Sequence, residues 1–235
     1  MAFDAAAFDG ADGPGAWVAA ARVLFSGVDR PNLLVSVPAN RAGIDAVTGC
    51  LAEGIGIEST WVFSVQQYRA VLDAQRIGLE RARARGVDLE TLGVATSCDL
   101  GVLDAEVNAR LDRLPEGAAR GLRDTAGLAT ARLLYRTREM ALSCKRWQSL
   151  RESGARPPML LWSETRPERV RSLVSWNTAL VLTVETAEAA ARGDALEGDT
   201  LMGRHEQSAR ALRLLAERNV DVEAIGAELL RARFG

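Results

Sequence analysis

Residues 32–74 read NLLVSVPANRAGIDAVTGCLAEGIGIESTWVFSVQQYRAVLDA, and this stretch decides the fold. Asn32 to Pro38 is an apolar run with little alternation, which is typical of a strand covered on both faces in a parallel sheet. A helical pattern follows, and a second strand is predicted from Ile55 to Phe63. Ser64, followed three residues later by Gln67, forms a capping box that opens the next helix. This order predicts parallel strands joined by right-handed crossovers.

The same alternation continues toward the carboxyl terminus. Further strands are predicted at Leu92 to Cys98, at MLLWSE (159–164) and at ALVLTVE (179–185). Helical patterns cover residues 17–25, 104–114, 122–142, 166–172, 205–218 and 222–234. The fold class is therefore α/β, and residues 1–235 are expected to form a single domain in which residues 1–15 have no defined structure.

Composition and charge exclude several classes of function. The chain has 29 basic and 31 acidic residues, a net charge of −2, so it has no basic surplus for a nucleic-acid backbone. No apolar run approaches the ~18 residues of a membrane span. Its three cysteines lack metal-ligand spacing, and the amino terminus lacks a signal-peptide pattern, so we expect a cytoplasmic, reduced protein. Neither a cofactor nor a metal is predicted.

Five stretches of the chain resemble the transaldolase family in its bacterial Schiff-base form. These are DRPNLLVSVPANRAG, LAEGIGIESTWVFSVQQYRAVLDA, LDAEVNARLD, RWQSLRESGARPPMLLWSET and TVETAEAA, which keep their order between roughly Asp29 and Ile225. The resemblance implies a (β/α)8 TIM-type barrel with its chemistry at the carboxyl ends of the strands. By this alignment the chain begins near the family's third strand. We therefore expect a shortened barrel without the first-strand segment in which the family keeps a catalytic aspartate.

The segment VSVPAN (35–40) occupies the place where the family keeps its Schiff-base lysine before a Pro-Ala-Thr turn. Ser36 stands in the lysine position, and a serine hydroxyl cannot form an iminium with a carbonyl. Lys145 is the only lysine in the chain, and it aligns on or beside an outer helix. The resemblance therefore implies that classical transaldolase chemistry is absent.

Acids stand at several other aligned positions. Glu58 and Glu185 replace family asparagines, and Glu164 replaces a phosphate-binding serine. Asp99 lies in a segment that has lost a family arginine. Crowded carboxylates repel phosphate, and crowding raises the pKa of some of them toward neutrality. Such a site suits a small molecule that carries a protonated amine or an iminium. It would also suit a hard metal ion held by carboxylate oxygens.

These substitutions suggest a diverged small-molecule enzyme of specialised, biosynthetic metabolism that uses carboxylate acid–base chemistry. Glu58 and Glu185 are the predicted acid–base pair or cation clamp. The predicted ligand-binding residues are Ser36, Asn40, Thr60, Asp99 and Glu164.

Two alternative functions remain open at this stage, and each acid also has a simpler explanation as a drifted, solvated residue. The first is a non-catalytic partner or scaffold for another chain, and the second is residual sugar-phosphate transfer, which needs a lysine. A shortened barrel leaves strand edges exposed, and a homo-oligomer, a partner chain or the segment MAFDAAAFDG would cover them.

Other candidate residues have structural explanations. His205 is expected to be solvent-exposed at a helix start, and Trp61 and Trp162 are expected to be packing residues.

Overall fold

A computed structural model describes residues 2–4, 13–30, 32–115, 117–163, 166–193, 195–196 and 198–234. The strands are β1 (Ala2–Asp4), β2 (Leu34–Pro38), β3 (Ile57–Thr60), β4 (Val94–Asp99), β5 (Met159–Ser163) and β6 (Thr178–Val181). The first five helices are α1 (Pro14–Val28), α2 (Arg41–Ala52), α3 (Val65–Ala84), α4 (Leu100–Leu111) and α5 (Ala126–Leu142). The others are α6 (Lys145–Glu152), α7 (Pro167–Val170), α8 (Val184–Ala191), α9 (His205–Ala216) and α10 (Val222–Phe234).

The six strands form one parallel sheet in the order β1-β2-β3-β4-β5-β6. Because the order never reverses and parallel crossovers are right-handed, the connecting helices lie on one face of the sheet. Among the described residues, no backbone pairing joins β6 back to β1, so this sheet is open. The predicted α/β class is confirmed, and the arrangement is compatible with part of a TIM-type barrel.

Side chains divide between two faces because neighbours along a strand point in opposite directions. On the outer face, Val35, Val37 and Ile57 pack with buried residues of α2, and Trp162 packs with buried residues of α4 and α5. Trp162 is fully buried there, which confirms it as a packing residue. The inner face is the opposite one, and it carries Ser36 and Glu58.

Short polar side chains fix where the helices begin. Ser64 Oγ accepts a hydrogen bond from Gln67 N at 3.1 Å, which confirms the predicted start of α3. Gln67 Oε1 in turn accepts from Phe63 N at 2.9 Å. In the usual capping box the donor is the backbone N–H of the cap residue itself, which here is Ser64. Close packing of α3 on α2 depends on Gly78, because a Cβ atom there would lie 2.8 Å from Leu51 Cβ.

Several predicted boundaries are wrong. The last strand ends at Val181 rather than at residue 185, because Thr183 caps α8 by accepting from Thr186 N at 3.2 Å. The helix predicted over 166–172 is only the four residues of α7 followed by a 3₁₀ turn. Within residues 1–15, where no structure was predicted, β1 pairs with β2 and α1 begins at Pro14.

A buried carboxylate links α4 to α5 and to the chain that follows β5. Asp104 is 2% exposed, and its Oδ2 lies 2.6 Å from Arg166 Nη2 and 2.8 Å from Arg169 Nη1. Its Oδ1 accepts from Gly127 N at 2.9 Å, at the start of α5. Arg166 also pairs with Asp124 at 2.6 Å. Asp104 therefore links α4 to the start of α5 and to the chain that follows β5.

No helix in the described part of the chain has the length and apolar character that a membrane span requires. The three cysteines are free thiols, of which Cys50 and Cys98 are buried and Cys144 is exposed.

We expect Asp104→Ala to lower the free energy of unfolding by about 3 to 5 kcal/mol, because it leaves two arginines without their buried partner. The measurement is urea unfolding followed by circular dichroism. Asp112→Ala is the matched control, since Asp112 pairs with Arg123 at an exposed site and should contribute about 1 kcal/mol or less. Equal losses in the two variants would contradict the role given to Asp104.

Candidate functional site

The inner face of β2 and β3 carries a buried polar pair. The strand register places Ser36 directly opposite Glu58, so both side chains lie on the same face. Ser36 Oγ donates to Glu58 Oε2 at 2.9 Å. The two residues are only 6% and 8% exposed, respectively. The replacement predicted from the sequence thus places a hydroxyl and a carboxylate in direct contact.

Glu58 is a buried acid with one committed oxygen and no cationic partner. Within the described residues, its Oε1 accepts no hydrogen bond, and no arginine, lysine or histidine forms an ion pair with it. A carboxylate oxygen without a protein partner can accept a hydrogen bond from a ligand or form an ion pair with it. The free oxygen makes Glu58 the strongest candidate for a functional residue in the described chain.

Three hydroxyl groups share the inner face with this pair, nearer to the carboxyl ends of the strands. Thr60 is the last residue of β3 and follows Glu58 by two positions. Ser97 pairs with Leu161, and Ser163 pairs with Asp99, which places both serines on the same face. Sequence reasoning identified Thr60 but missed Ser97 and Ser163. Counting alternate residues along β4 and β5 would have found them, once the register of the sheet was known.

Leu34 closes the opposite end of this face. Its Cδ2 would lie 3.0 Å from a Cβ atom added at Gly56 and 2.7 Å from one added at Gly93. These glycines precede β3 and β4, so the Leu34 side chain lies across the amino ends of both strands. The amino-terminal end of the inner face is therefore apolar, and its polar residues lie toward the carboxyl ends.

Two predicted ligand-binding residues cap helices instead. Asn40 Oδ1 accepts from Gly43 N at 2.8 Å at the start of α2. Asp99 Oδ1 accepts from Val102 N at 3.0 Å at the start of α4. Both residues lie at the carboxyl edge of the sheet, as predicted. These bonds direct their side chains toward the following helices, so neither has a demonstrated contact with Glu58.

Glu185 is not brought together with Glu58. It lies in the first turn of α8, four residues beyond the end of β6, and it is exposed. Its pKa lies below the ordinary value, because its own backbone N–H and the Thr183 hydroxyl donate to the carboxylate. This direction is opposite to the rise expected from crowded acids. The placement of Glu185 on the last strand is therefore corrected, and β4 and β5 separate β3 from β6.

Glu164 lies outside the described residues. Within the described ranges, no three His, Cys, Asp or Glu side chains form a group that could hold a metal ion. The described candidate acids thus occupy three places. Glu58 lies within β3, Asp99 ends β4 on the same inner face and caps α4, and Glu185 lies on the exposed α8.

A cleft of about 300 Å³ lies next to the carboxyl ends of β2 and β3. It is lined in part by Asn40, Ser64 and Gln67, and by Arg231 of α10. Nearby, α10 packs closely on the chain after β3, because a Cβ atom at Gly226 would lie 2.6 Å from Phe63 Cβ. Trp61 makes edge contacts with Phe63 and Phe234, at centroid distances of 5.9 and 5.7 Å. This supports Trp61 as a packing residue.

The remaining candidates lie away from the inner face. Lys145 is the first residue of α6 and is exposed, which agrees with its predicted place on an outer helix. His205 begins α9 as predicted, although it is half-buried rather than exposed. Among the described residues that the sequence assigned to the site, Ser36 and Glu58 are the only two joined by a hydrogen bond.

These features define a parallel α/β protein of barrel type with a polar site on the inner face of its strands. Residues 10–149 match the model of the Transaldolase/Fructose-6-phosphate aldolase family. The match covers more than half of the chain, so the chain belongs to this family.

Relatives named transaldolase resemble the chain over most of its length. The protein from Thermobifida fusca is 41% identical over 202 residues, which cover 83% of this chain and 55% of the relative. The protein from Parafrankia sp. is 36% identical over 213 residues, covering 87% and 58%. The protein from Mycobacterium tuberculosis is 36% identical over 215 residues, covering 88% and 58%. The chain thus spans a little over half the length of these relatives.

We expect Ser36→Ala to lower the free energy of unfolding by about 1 to 3 kcal/mol, because it leaves Glu58 Oε2 buried without its donor. The double variant Ser36→Ala/Glu58→Met should recover much of this loss, since neither polar partner then remains. Urea unfolding of the wild-type protein, the two single variants and the double variant gives a double-mutant cycle. Strictly additive effects would show that the two side chains do not interact.

Proposed function

We propose that this chain is a transaldolase-family protein that binds a small cationic molecule and acts on it by carboxylate acid–base chemistry. The observation that carries the proposal is the state of Glu58, which is buried, bonded through one oxygen to Ser36 and free at the other. Loss of the Schiff-base lysine removes dihydroxyacetone transfer, so we place the reaction in specialised, biosynthetic metabolism.

The absence of a usable lysine supports a chemistry without a Schiff base. Lys145 is the only lysine in the sequence, and it is exposed at the start of α6, on the helical layer. The inner face of β2 offers the Ser36 hydroxyl, which cannot form an iminium. A carbonyl ligand in this site would therefore be polarised or deprotonated, not covalently captured by an amine.

The ligand class follows from the charge of the site. Glu58 has no cationic partner among the described residues, so a protonated amine next to Oε1 would form the missing ion pair. The hydroxyls of Ser36, Thr60 and Ser163 suit a ligand that carries several hydroxyl groups. Glu58 would accept a proton from the bound ligand, and Ser36 would hold the carboxylate in place for this transfer.

A matched set of sugars tests the charge preference. We expect D-glucosamine to raise the melting temperature, whereas D-glucose should raise it less and D-glucose 6-phosphate should have no effect, since a ligand that binds the native state stabilises it. Glu58→Gln keeps the size of the side chain but removes the charge, so it should abolish the preference for the amine. Thermal unfolding across ligand concentrations gives the measurement.

Two variants serve as controls. Glu185→Gln removes an exposed acid on α8, and Lys145→Arg removes the only lysine, so both should keep the wild-type response. Stabilisation by the sugar phosphate that disappears in Lys145→Arg would instead favour the family's Schiff-base chemistry. An unchanged response of Glu58→Gln to the amine would contradict the proposal.

A second function, as a partner for another chain or for a second copy, is favoured by the open edge of the sheet. Val181 on β6 is 55% exposed, and Val184, which follows it, is 70% exposed. Met159 on the inner face of β5 is 39% exposed, in contrast to the buried Ser36 and Glu58. In this alternative, the exposed apolar side chains near β6 form the contact surface.

If this surface mediates self-association, the purified chain should sediment above the monomer mass at micromolar concentration. Val181→Lys should weaken the association at least about tenfold, because a charge on an edge strand opposes pairing. Val23→Lys is the matched control, since Val23 is 71% exposed on α1. A wild-type protein that sediments as a monomer would exclude association between copies of this chain.

A further inference from the structure

A second carboxylate lies on the inner face of the sheet, further along the strands than Glu58. Asp99 ends β4 opposite Ser163, and its Oδ1 accepts from Val102 N at 3.0 Å. The other oxygen, Oδ2, has no hydrogen-bond or ion-pair partner in the described chain, and the half-buried residue leaves it in reach of solvent. Capping of α4 therefore uses one oxygen of Asp99 and leaves the other available to a ligand.

Glu58 has an available oxygen in a more buried place. The residue is only 8% exposed, and its Oε2 accepts from Ser36 Oγ. Its Oε1 has no partner among the described residues, yet it is not one of the unpaired polar atoms that are closed off from solvent. Oε1 therefore faces a space that a ligand atom can enter. A carboxylate oxygen in such a place can form a charge-assisted hydrogen bond with a ligand, whatever Asp99 does.

The strand register fixes the separation of the two acids. Glu58 pairs with Ala95, and Asp99 follows Ala95 by four residues on the neighbouring strand β4. At about 3.3 Å per residue, the two acids lie about 13 Å apart along the strands. A single ammonium group cannot contact both carboxylates over this distance. A ligand that contacts both needs two cationic groups, one at each end of an extended chain.

Uncharged hydroxyl groups occupy the stretch between the acids. Thr60 and Ser97 hold the next inner-face positions of β3 and β4, and Ser163 lies beside Asp99. Each of the three is half-buried, and none of the three hydroxyls has a hydrogen-bond partner within the described ranges. The inner face of strands β2 to β6 carries no lysine, arginine or histidine. This polar strip is therefore acidic at both ends and neutral in the middle.

We propose that the polar strip binds an elongated molecule with two protonated amines, one paired with Glu58 Oε1 and the other with Asp99 Oδ2. This inference rests on the proposed function, because it adds a second cationic group to the ligand class assigned to Glu58. The two nitrogens lie about 8 to 13 Å apart, the shorter value applying when both lie between the acids, since each charge-assisted bond adds about 2.8 Å. Thr60 and Ser97 contact the chain that joins the two amines.

Three amines of defined length test this arrangement. 1,8-Diaminooctane carries two charges and spans the required distance, 8-amino-1-octanol has the same length and one charge, and 1,3-diaminopropane has two charges that lie too close together. We expect the long diamine to bind with one-to-one stoichiometry and about tenfold more tightly than either of the others, as one additional charge-assisted hydrogen bond allows. Isothermal titration calorimetry at pH 7, where aliphatic amines are protonated, gives the three affinities.

Two variants assign the two ends of the ligand. Asp99→Asn keeps the cap of α4, because asparagine caps a helix as well as aspartate does. It should reduce the affinity of the long diamine to that of the amino alcohol and leave the amino alcohol unaffected. Glu58→Gln should weaken the binding of both. Glu185→Gln removes an exposed acid on α8, so this control should keep the wild-type affinities. If Asp99→Asn fails to fold, Asp99→Ser, which also caps a helix, replaces it.

The outcomes separate this inference from the proposed function. Equal affinities of the long diamine and the amino alcohol, with both lost in Glu58→Gln, would overturn the second ion pair and leave the proposed function intact. A preference for the long diamine that persists in Asp99→Asn, or that 1,3-diaminopropane shares, would also overturn it. Failure of all three amines to bind, or binding that Glu58→Gln leaves unchanged, would contradict both.

Discussion

The pairing of β2 with β3 is the contact on which the rest of the structure depends. The register that joins Ser36 to Glu58 also assigns every other side chain of these strands to a face. A slip of β3 by one residue would turn Ile57 away from the helices and place the carboxylate of Glu58 in the apolar core. Burial of the apolar set on the outer face therefore fixes the polar pair on the inner face.

Helix capping and ligand binding compete for the same polar residues at the carboxyl edge of the sheet. A parallel strand that leads into a helix needs a short polar side chain near the turn, and Asn40 and Asp99 fill that need. Glu58 lies further inside its strand, two residues before the end, so no helix start can engage its carboxylate. Its second oxygen is therefore not used in helix capping.

The two faces of the sheet differ in polarity and in how completely they are covered. The inner face is polar near the carboxyl ends and is only partly covered toward β6, where Val181 is exposed. The outer face is closed by helices, whose buried side chains pack against Val35, Val37 and Ile57. Polar side chains that could contact a ligand therefore lie on the inner face, near the carboxyl ends of the strands.

The sequence by itself determined the α/β class, the order of the elements and the capping box at Ser64, because these depend on periodicity and on residues close together in the chain. It also determined that Lys145 is the only lysine in the sequence. The tertiary structure alone decided which acids share a site, since that depends on strand register and on where each strand ends. Strand β6 ends at Val181, so Glu185 enters a helix and leaves Glu58 with Ser36.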